Sequence, residues 1–525
     1  MSTELSPPGA PAVERPVASR FAGWGAGLPF VLLVLAAALV ARSPGFSRGL
    51  FDPDEAAIAT MGMVVQHGGA LYRDVIDRKP PLPALLYAAS FWITGSRKLE
   101  PLHVLAALEL AGAALLLAAE VRRRAGSRAA WWAAGLTVAG AVAFHPVDAQ
   151  AANYSHLALL PGCGAIVAAR RGSTRSAALA GVLLGLATLT RQTWLIGVFP
   201  AALAAWYHGG RRWRDAAVVV ATTAATVLAV ALVAPFGPFV HWTFSGNGTL
   251  LFGFGHSLDP LHRAWQAVEY FLIGHVVVCL LVLRRGWHRD DLDLWLWLVA
   301  GLVAFVAGFR YFGHYWLQVL PPLVLLGAPA IASFHAWSRL ALVALVLVPT
   351  VWYWQEAWTP IHGPSNIDQR AFPLVAEVRK LTRPNDRITV WGSFPEIYWL
   401  SGRDPGGALV LTDFLVGKTA FWPDGPPRLA DATPGALTTF LDSMRAHPPK
   451  LFLDTATGAV RAYQHYPITL IPAAHQLVTH HYHPVAVVDG VTVYERDAST
   501  RRPAGPSPTP ASSRSSSRGR KSGAP

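Results

Sequence analysis

Residues Phe51–Tyr87 read FDPDEAAIATMGMVVQHGGALYRDVIDRKPPLPALLY. The stretch gathers Asp52, Asp54, Glu55, Arg73, Asp74, Asp77, Arg78 and Lys79 into one loop of a chain that is only 14% charged. On either side the sequence turns apolar, in runs near the ~20 residues that a helix needs to cross a bilayer. The stretch therefore reads as a polar loop held between membrane segments.

The bulk numbers agree. The 525 residues are 52% hydrophobic with a mean hydropathy of +0.34, too apolar for a soluble multidomain protein. Many of the 20 Trp lie near the ends of the apolar runs, as interfacial anchors do. The 2 cysteines, Cys163 and Cys279, both fall inside apolar runs, which excludes a disulfide framework. A net charge of +13 would suggest nucleic acid in a soluble protein. Here most arginines sit in short loops between apolar runs, so the charge is a topology signal and no nucleic-acid partner is expected. The first run begins only near Ala26, after a polar, Pro-rich segment over 1–20, a pattern that does not read as a cleavable signal peptide.

Candidate spans are Ala26–Ala41, Leu102–Val121, Trp131–Phe144, Leu157–Ala169, Ser176–Thr190, Trp194–Tyr207, Ala216–Pro235, Val268–Leu283, Leu292–Phe309, Trp316–Ala332 and Leu340–Trp354. That is about eleven, several of them short for a ~30 Å bilayer. Alternate loops carry Arg122-Arg123-Arg124, Arg170-Arg171-Arg175, Arg211-Arg212-Arg214, Arg284-Arg285-Arg289 and Arg339, and Arg15 and Arg20 precede the first span. Placing these inside makes the N-terminus cytoplasmic. The Phe51–Tyr87 loop then faces outside, with the loops His145–His156, Phe236–Gln266 and Arg310–Tyr315 and all that follows Trp354. Asp290, Asp291 and Asp293 fall on the inner side and read as solvated.

Within the first outer loop, Asp54–His67 reads as a helix with acids at its start. Its stripe of Ile58, Met61 and Val65 suggests that it lies on the membrane surface. Pro80-Pro81 opens a second helix, Leu82–Ile93. After the last span, Phe372–Leu381 reads as helix, and Arg387–Trp391, Ala408–Leu411, Lys450–Asp454 and Val485–Glu495 as strands of a small α/β domain. Residues 498–525, rich in Ser, Pro, Arg and Gly, read as a disordered basic tail.

Asp54-Glu55 just after a first span, followed by Arg78-Lys79-Pro80-Pro81-Leu82, resembles the first extracytoplasmic loop of the GT-C glycosyltransferases. The protein O-mannosyltransferases and bacterial lipid A aminoarabinose transferases (family 39-like) are the closest in pattern. His145–Pro161 (HPVDAQAANYSHLALLP) resembles their second outer loop, although many relatives have an acid near Ser155 and Asp148 is the only acid here. Gly185–Gln192 (GLATLTRQ), Arg310–Pro322 (RYFGHYWLQVLPP) and residues 388–403 (ITVWGSFPEIYWLSGR) resemble further segments of the family. The resemblance implies a polytopic α-helical membrane protein of about eleven helices with a small extracytoplasmic α/β domain. The division expected is 1–25 a disordered cytoplasmic N-terminus, 26–354 a GT-C transmembrane catalytic domain with its first outer loop at 43–101, 355–497 the α/β domain, and 498–525 the tail.

The implied activity is transfer of a sugar from a polyprenyl-phosphate donor to a hydroxyl of a lipid, an envelope glycan or a protein, at the outer face of the plasma (inner) membrane. Inversion by in-line displacement is expected. Such chemistry needs a carboxylate base and cations for the leaving phosphate. Asp54, Glu55 and Asp148 are the candidate catalytic carboxylates, and Asp54 alternatively reads as a helix cap. Lys79, Arg191, Arg310, His314 and Tyr315 are the candidate phosphate ligands, with His241, His256 and His262 as weaker ones. No cofactor is indicated, and Asp52-Pro53-Asp54 leaves a divalent metal open. His480, His481 and His483 read as surface residues. A transporter or flippase for a lipid or polyanion is the alternative. It would favour charges at span centres and two related halves, and neither pattern is present. A sensor built on the α/β domain leaves the acidic loop unexplained.

Overall fold

In the computed structural model the described residues are 27–247, 259–359, 367–417, 427 and 429–498. The expectations for 1–25, for His256 and for the tail beyond Ala498 lie outside them. The eleven apolar runs fall on helical segments. In order these include α1 (Gly27–Ala41), α2 (Pro53–Gln66), α3 (Leu82–Thr94), α4 (Glu100–Gly140), α5 (Leu159–Ala169), α6 (Thr174–Thr190), α7 (Val198–His208), α8 (Trp213–Leu228), α9 (Asp259–Arg285), α10 (Leu292–Val306), α11 (Leu320–Gly327) and α12 (Ala336–Trp358). Among the described residues, four helical stretches are long and apolar enough to cross a membrane unaided: Glu100–Gly140, Trp213–Leu232, Leu261–Arg285 and Ala336–Trp358. The protein is a multi-pass membrane protein.

Glycine decides two features of this bundle. At 41 residues, α4 would be about 60 Å long at ~1.5 Å per residue, twice a bilayer. It breaks at Gly126, whose φ of 82° and ψ of 178° only glycine adopts readily, and the break yields the two expected spans. Gly181 and Gly185 let α6 lie against α8. A Cβ at Gly181 would stand 1.9 Å from Thr222 Oγ1, and one at Gly185 2.4 Å from Thr226 Cβ. This is the small-residue spacing that brings membrane helices into backbone contact.

One end of the bundle is tied by buried ions. Glu120 accepts from Arg123 (2.7 Å) and Arg170 (3.1 Å). Arg170 also pairs with Asp293, and Asp291 with Arg124 and Arg285. Asp291 and Asp293, expected in solvent, are thus buried cross-links between helices. Isolated charges there would be prohibitive, and paired ones are tolerated.

The other end carries the first loop and a C-terminal α/β unit. That unit holds α13 (Ala371–Leu381), β1 (Ile388–Trp391), α14 (Glu396–Ser401), α15 (Ala436–Ala446), β2 (Leu451–Asp454), α16 (Pro472–His481), β3 (Tyr482–Val488) and β4 (Val491–Arg496). The sheet order is β1-β2-β4-β3, with β1 parallel to β2 and the other pairs antiparallel. The expected strand Val485–Glu495 is instead the β3–β4 hairpin, turned at Asp489-Gly490 with φ of 48° and 80°, as a tight hairpin requires. Ala408–Leu411 joins no strand of the sheet. Leu409 bridges Ile76 of the first loop, with Ile76 N–H donating to Ala408 O (2.8 Å). The stretch is a dock between unit and loop.

The position of α2 also differs from expectation. It does not lie on the membrane surface, because Glu55–Val64 are all buried. Gly62 packs on α3, where a Cβ would meet Tyr87 Cβ at 2.8 Å, and Thr60 Oγ1 donates to Pro395 O of the C-terminal unit (3.2 Å). The intervening alanines let neighbours close in on every side, which a stripe of three apolar residues does not reveal.

Candidate active site

The start of α2 sorts the three acids of DPDE. Asp52 is the cap: its carboxylate accepts from Asp54 N–H (2.9 Å), and Glu55 returns the bond by accepting from Asp52 N–H (3.2 Å). Asp52 is therefore a partly buried helix cap and not a solvated turn residue. Burial and the neighbouring Asp54 push its carboxyl well above the usual range. Asp54, one turn position further, is relieved of capping. Its side chain is 38% exposed and stands 3.9 Å from Lys79 Nζ.

Glu55 departs from the expected catalytic role. It is fully buried and accepts from Phe51 N–H (2.8 Å), Ala152 N–H (2.7 Å) and His103 Nε2 (2.7 Å). Burial would push the carboxyl up, but the His103 ring and the backbone donors hold it below its ordinary value. With its oxygens committed, it has none to offer a substrate. It works beside Arg42, which donates to the carbonyls of Ala149, Gln150 and Ala151 at 2.8–2.9 Å. Together they fasten the second loop to the first.

That second loop presents Asp148. Its Oδ1 lies 2.5 Å from His314 Nδ1, and Gly313 comes so close that a Cβ there would meet Asp148 Oδ2 at 2.7 Å. Burial would raise the Asp148 carboxyl, but the bond from His314 outweighs it and holds it below the usual value. Burial also pulls the His314 imidazole down. The pair is thus a carboxylate accepting from a neutral ring.

Three cations are set at breaks in the backbone. Arg191 ends α6 in an extended conformation (φ −148°, ψ 116°). Its guanidinium lies 3.9 Å over the Tyr315 ring and donates to Ser155 Oγ and to Thr193 Oγ1 (3.1 Å). Burial lowers its pKa, against the field of Tyr315, Asp54 and Asp148. Arg310 follows α10 in a loop whose Gly308, Phe309 and Tyr311 all have positive φ (81°, 50° and 53°). Such strain in non-glycine residues gathers at functional sites. Burial and the nearby Arg78 bring the Arg310 guanidinium down to about 10. Lys79 precedes Pro80-Pro81, with its ammonium 4.9 Å over the Tyr154 ring. Tyr154 O–H donates to Asp77 (3.0 Å) and Tyr72 O–H to the Lys79 carbonyl (2.8 Å), which fixes the segment.

A cavity of about 950 Å³ joins these groups. Arg78, Lys79, Arg191, Gln192, Thr193, Arg310 and Tyr315 line it where the helices break. Its remaining walls are apolar: Leu195 in the turn before α7, Val198 and Phe199 at the start of α7, Val220, Val227 and Leu228 of α8, and Val303 and Ala307 at the end of α10. Phe199, Leu228 and Val303 are more than half exposed, so the apolar part opens sideways on the flank of the bundle. The structure thus brings Lys79, Arg191, Arg310 and Tyr315 to one cavity, with Asp54 beside Lys79 and His314–Asp148 next to Tyr315. Residues 79–309 match the family model described as Glycosyltransferase family 87. Over that stretch, less than half of the chain, the sequence is similar to the glycosyltransferases of family 87.

Solved structures share the fold. ArnT from Cupriavidus metallidurans bound to undecaprenyl phosphate superposes with a TM-score of 0.58 at 15% identity, over 91% of this chain and 99% of that one. Its apo state gives 0.56 at 14% identity, over 91% and 100%. The Archaeoglobus fulgidus oligosaccharyltransferase tethered to an acceptor peptide gives 0.50 at 13% identity, over 89% and 74%. No curated protein sequence matches the chain significantly.

Several residues of the cavity were not singled out from sequence. Arg78 lines it and stacks 4.5 Å over Phe414 of the C-terminal unit. Its place next to Lys79 in one charged run was the available signal. Ser155, Gln192 and Thr193 reach the site through breaks in the fold; Ser155 and Gln192 fall in segments that resemble the family, and Thr193 carries no sequence signal of its own. The histidines expected as weaker ligands go elsewhere. His241 Nε2 contacts Pro434 O (3.1 Å), His262 is exposed on α9, and neither lines the cavity. His483 pairs with Asp497 (2.6 Å), and no group of three or more His, Cys, Asp or Glu suited to a metal occurs among the described residues.

Proposed function

We propose that this enzyme takes a sugar from a polyprenyl-phosphate donor and transfers it, with inversion, to a hydroxyl on a lipid, an envelope glycan or a protein at the outer face of the membrane. The observation that carries the reading is the shape of the cavity. Four cations meet where the helices break, and a lateral apolar groove leads away from them along α7, α8 and α10. A phosphate needs the first and a polyprenyl chain the second. The likeness to ArnT bound to undecaprenyl phosphate supports the same pairing.

In this reading Lys79, Arg191, Arg310 and Arg78 hold the phosphate and stabilise the charge it gains as the glycosidic bond breaks. Asp54, unbonded by its own helix and beside Lys79, takes the proton of the acceptor hydroxyl; a positioned base of this kind supplies about 10²–10⁴ in rate. Asp148 fixes the His314 ring beside Tyr315, and so the floor on which Arg191 rests. The arginine-rich loops face the cytoplasm, and the first loop and C-terminal unit lie outside. The test is turnover of a panel of polyprenyl-phosphate sugars by purified wild type and Asp54→Asn, followed by mass spectrometry. One donor consumed by wild type, and bound but not consumed by the variant, is the expected result. Equal turnover by both proteins overturns Asp54 as base, and no turnover or retention of any such donor by wild type overturns the donor class.

A further inference from the structure

A second cavity, of about 880 Å³, lies at the far end of α2, roughly 20 Å from Asp54 by the rise of the helix. The turn between α3 and α4 and the C-terminal unit enclose it. Arg97, Lys98, Arg379, Arg387 and Arg403 converge there, with Glu100 and Asp404 as the only acids of the lining among the described residues.

Internal bonds use up part of this set. Asp404 is paired with His67 Nδ1 (2.9 Å), and Arg403 is spent on Thr382 and the Ser401 carbonyl. Arg97 gives Nε to Gln66 (3.0 Å) and Nη2 to His67 Nε2 (2.6 Å), which leaves Nη1 toward Gly402, where a Cβ would meet it at 2.9 Å. Arg387 gives only Nη1, to Pro405 O (3.1 Å). The Lys98 ammonium has no partner among the described residues. Glu100 Oε2 is buried and accepts no hydrogen bond from any of them. Unused cationic donors and a buried unused acceptor in one cavity fit an anion that also carries a hydroxyl.

The surface beside the cavity indicates where that anion comes from. Trp92 and Ile93, at the end of α3, are 59% and 84% exposed. They stand a few residues before Arg97 and Lys98. An exposed Trp and Ile followed by Arg-Lys is the sequence of an interface, with apolar chains on one side and headgroups on the other. We propose that this cavity binds the phosphate of a hydroxylated anionic phospholipid headgroup, with Lys98, Arg97 and Arg387 on the phosphate and Glu100 accepting from a headgroup hydroxyl. The lipid would pin the C-terminal unit to the bilayer, apart from the donor site.

The test uses the full chain, exchanged into phosphatidylcholine with and without phosphatidylglycerol, with retained lipid measured by native mass spectrometry. Wild type should retain phosphatidylglycerol over phosphatidylcholine, and Asp54→Asn should retain it equally. Lys98→Glu, at an exposed position, and Arg387→Gln should each retain less, the charge reversal at least about tenfold less. Glu100→Gln should narrow the preference for phosphatidylglycerol over phosphatidic acid, which has no headgroup hydroxyl. Equal retention across the variants, or no preference in wild type, overturns the proposal. Binding of soluble glycerol 1-phosphate by lipid-free protein as tightly as the lipid assigns the cavity to a soluble phosphate and overturns the headgroup source.

Discussion

Glu55 and Asp54 are adjacent carboxylates with opposite situations, so replacing each separates architecture from chemistry. Glu55→Ala deletes the acceptor shared by Phe51 N–H, Ala152 N–H and the His103 ring, all buried. Each buried donor left unpaired costs about 1–3 kcal/mol. Water entering the vacated space offsets part of the loss at these three donors, so a net loss of roughly 3–5 kcal/mol is expected. Glu55→Gln keeps the shape but turns an amide N–H₂ toward one donor, for about 1–3 kcal/mol. Asp54→Asn alters a partly exposed group and should stay within about 0.5 kcal/mol of wild type. The assay is thermal unfolding in detergent alongside donor turnover per folded molecule. Both Glu55 variants should melt lower, and the glutamine variant, once folded, should keep most of its turnover. A Glu55→Gln protein that melts like wild type yet transfers no sugar would falsify the structural assignment and return Glu55 to the chemistry.

Three further outcomes follow from the geometry. Arg310→Ala should lower kcat/KM for the lipid donor by about 10–100-fold, the worth of a charge-assisted hydrogen bond, without lowering the melting temperature, because the arginine is a buried cation held among other cations; a lower melting temperature with unchanged kcat/KM would count against a phosphate role. His314 is buried with its pKa lowered, so the unfolded state takes up a proton below ~6.5 that the folded state refuses. Stability should therefore fall as pH drops below that value, and His314→Gln should flatten the slope in unfolding measured between neutral and mildly acidic pH. Gly181→Ala should lose about 1–3 kcal/mol, since its Cβ meets the backbone Val219 O at 2.5 Å, whereas Gly112→Ala meets only Leu160 methyl groups at 3.0 Å and should be tolerated in the same melting assay.

How much could be read from sequence depended on the range of the interaction. Apolar runs and arginine loops are local, so the helices and the first loop were legible. Hydrophobic strands that pair inside the C-terminal unit, such as Leu451–Asp454, were legible too. Ala408–Leu411 has the same composition but is captured by Ile76, far away in the chain. Asp291 and Asp293 look like any inner-loop acids until Arg124 and Arg170 arrive from other helices. In the site, charge density pointed to Asp54 and Lys79. The same density made Glu55 look reactive, because only the fold shows that His103 and Ala152 occupy its oxygens. Arg78 was passed over because its role depends on Phe414, which approaches only when the C-terminal unit docks.

The placement of the cations follows from what a membrane permits. A guanidinium in the middle of a lipid-facing helix is costly, and irregular backbone at that depth is tolerated only where it lines a cavity. Arg191, Arg310 and Lys79 sit where a helix stops: after α6, after α10 and before α3. Each break frees backbone groups and gives room for a charge in the same place. Aromatic rings hold the cations too, Tyr315 of the bundle under Arg191 and Phe414 of the C-terminal unit under Arg78. On the proposed reading the C-terminal unit is therefore part of the phosphate site as well as a neighbour of it. Phe414→Ala, which removes no charge and no cavity wall of the membrane body, tests that step. A cation–π contact is worth about 0.5–2 kcal/mol, so donor KM should rise roughly two- to thirtyfold with Arg78 still in place. Donor KM unchanged in Phe414→Ala but raised in Arg78→Ala would show that the arginine needs no support from the unit.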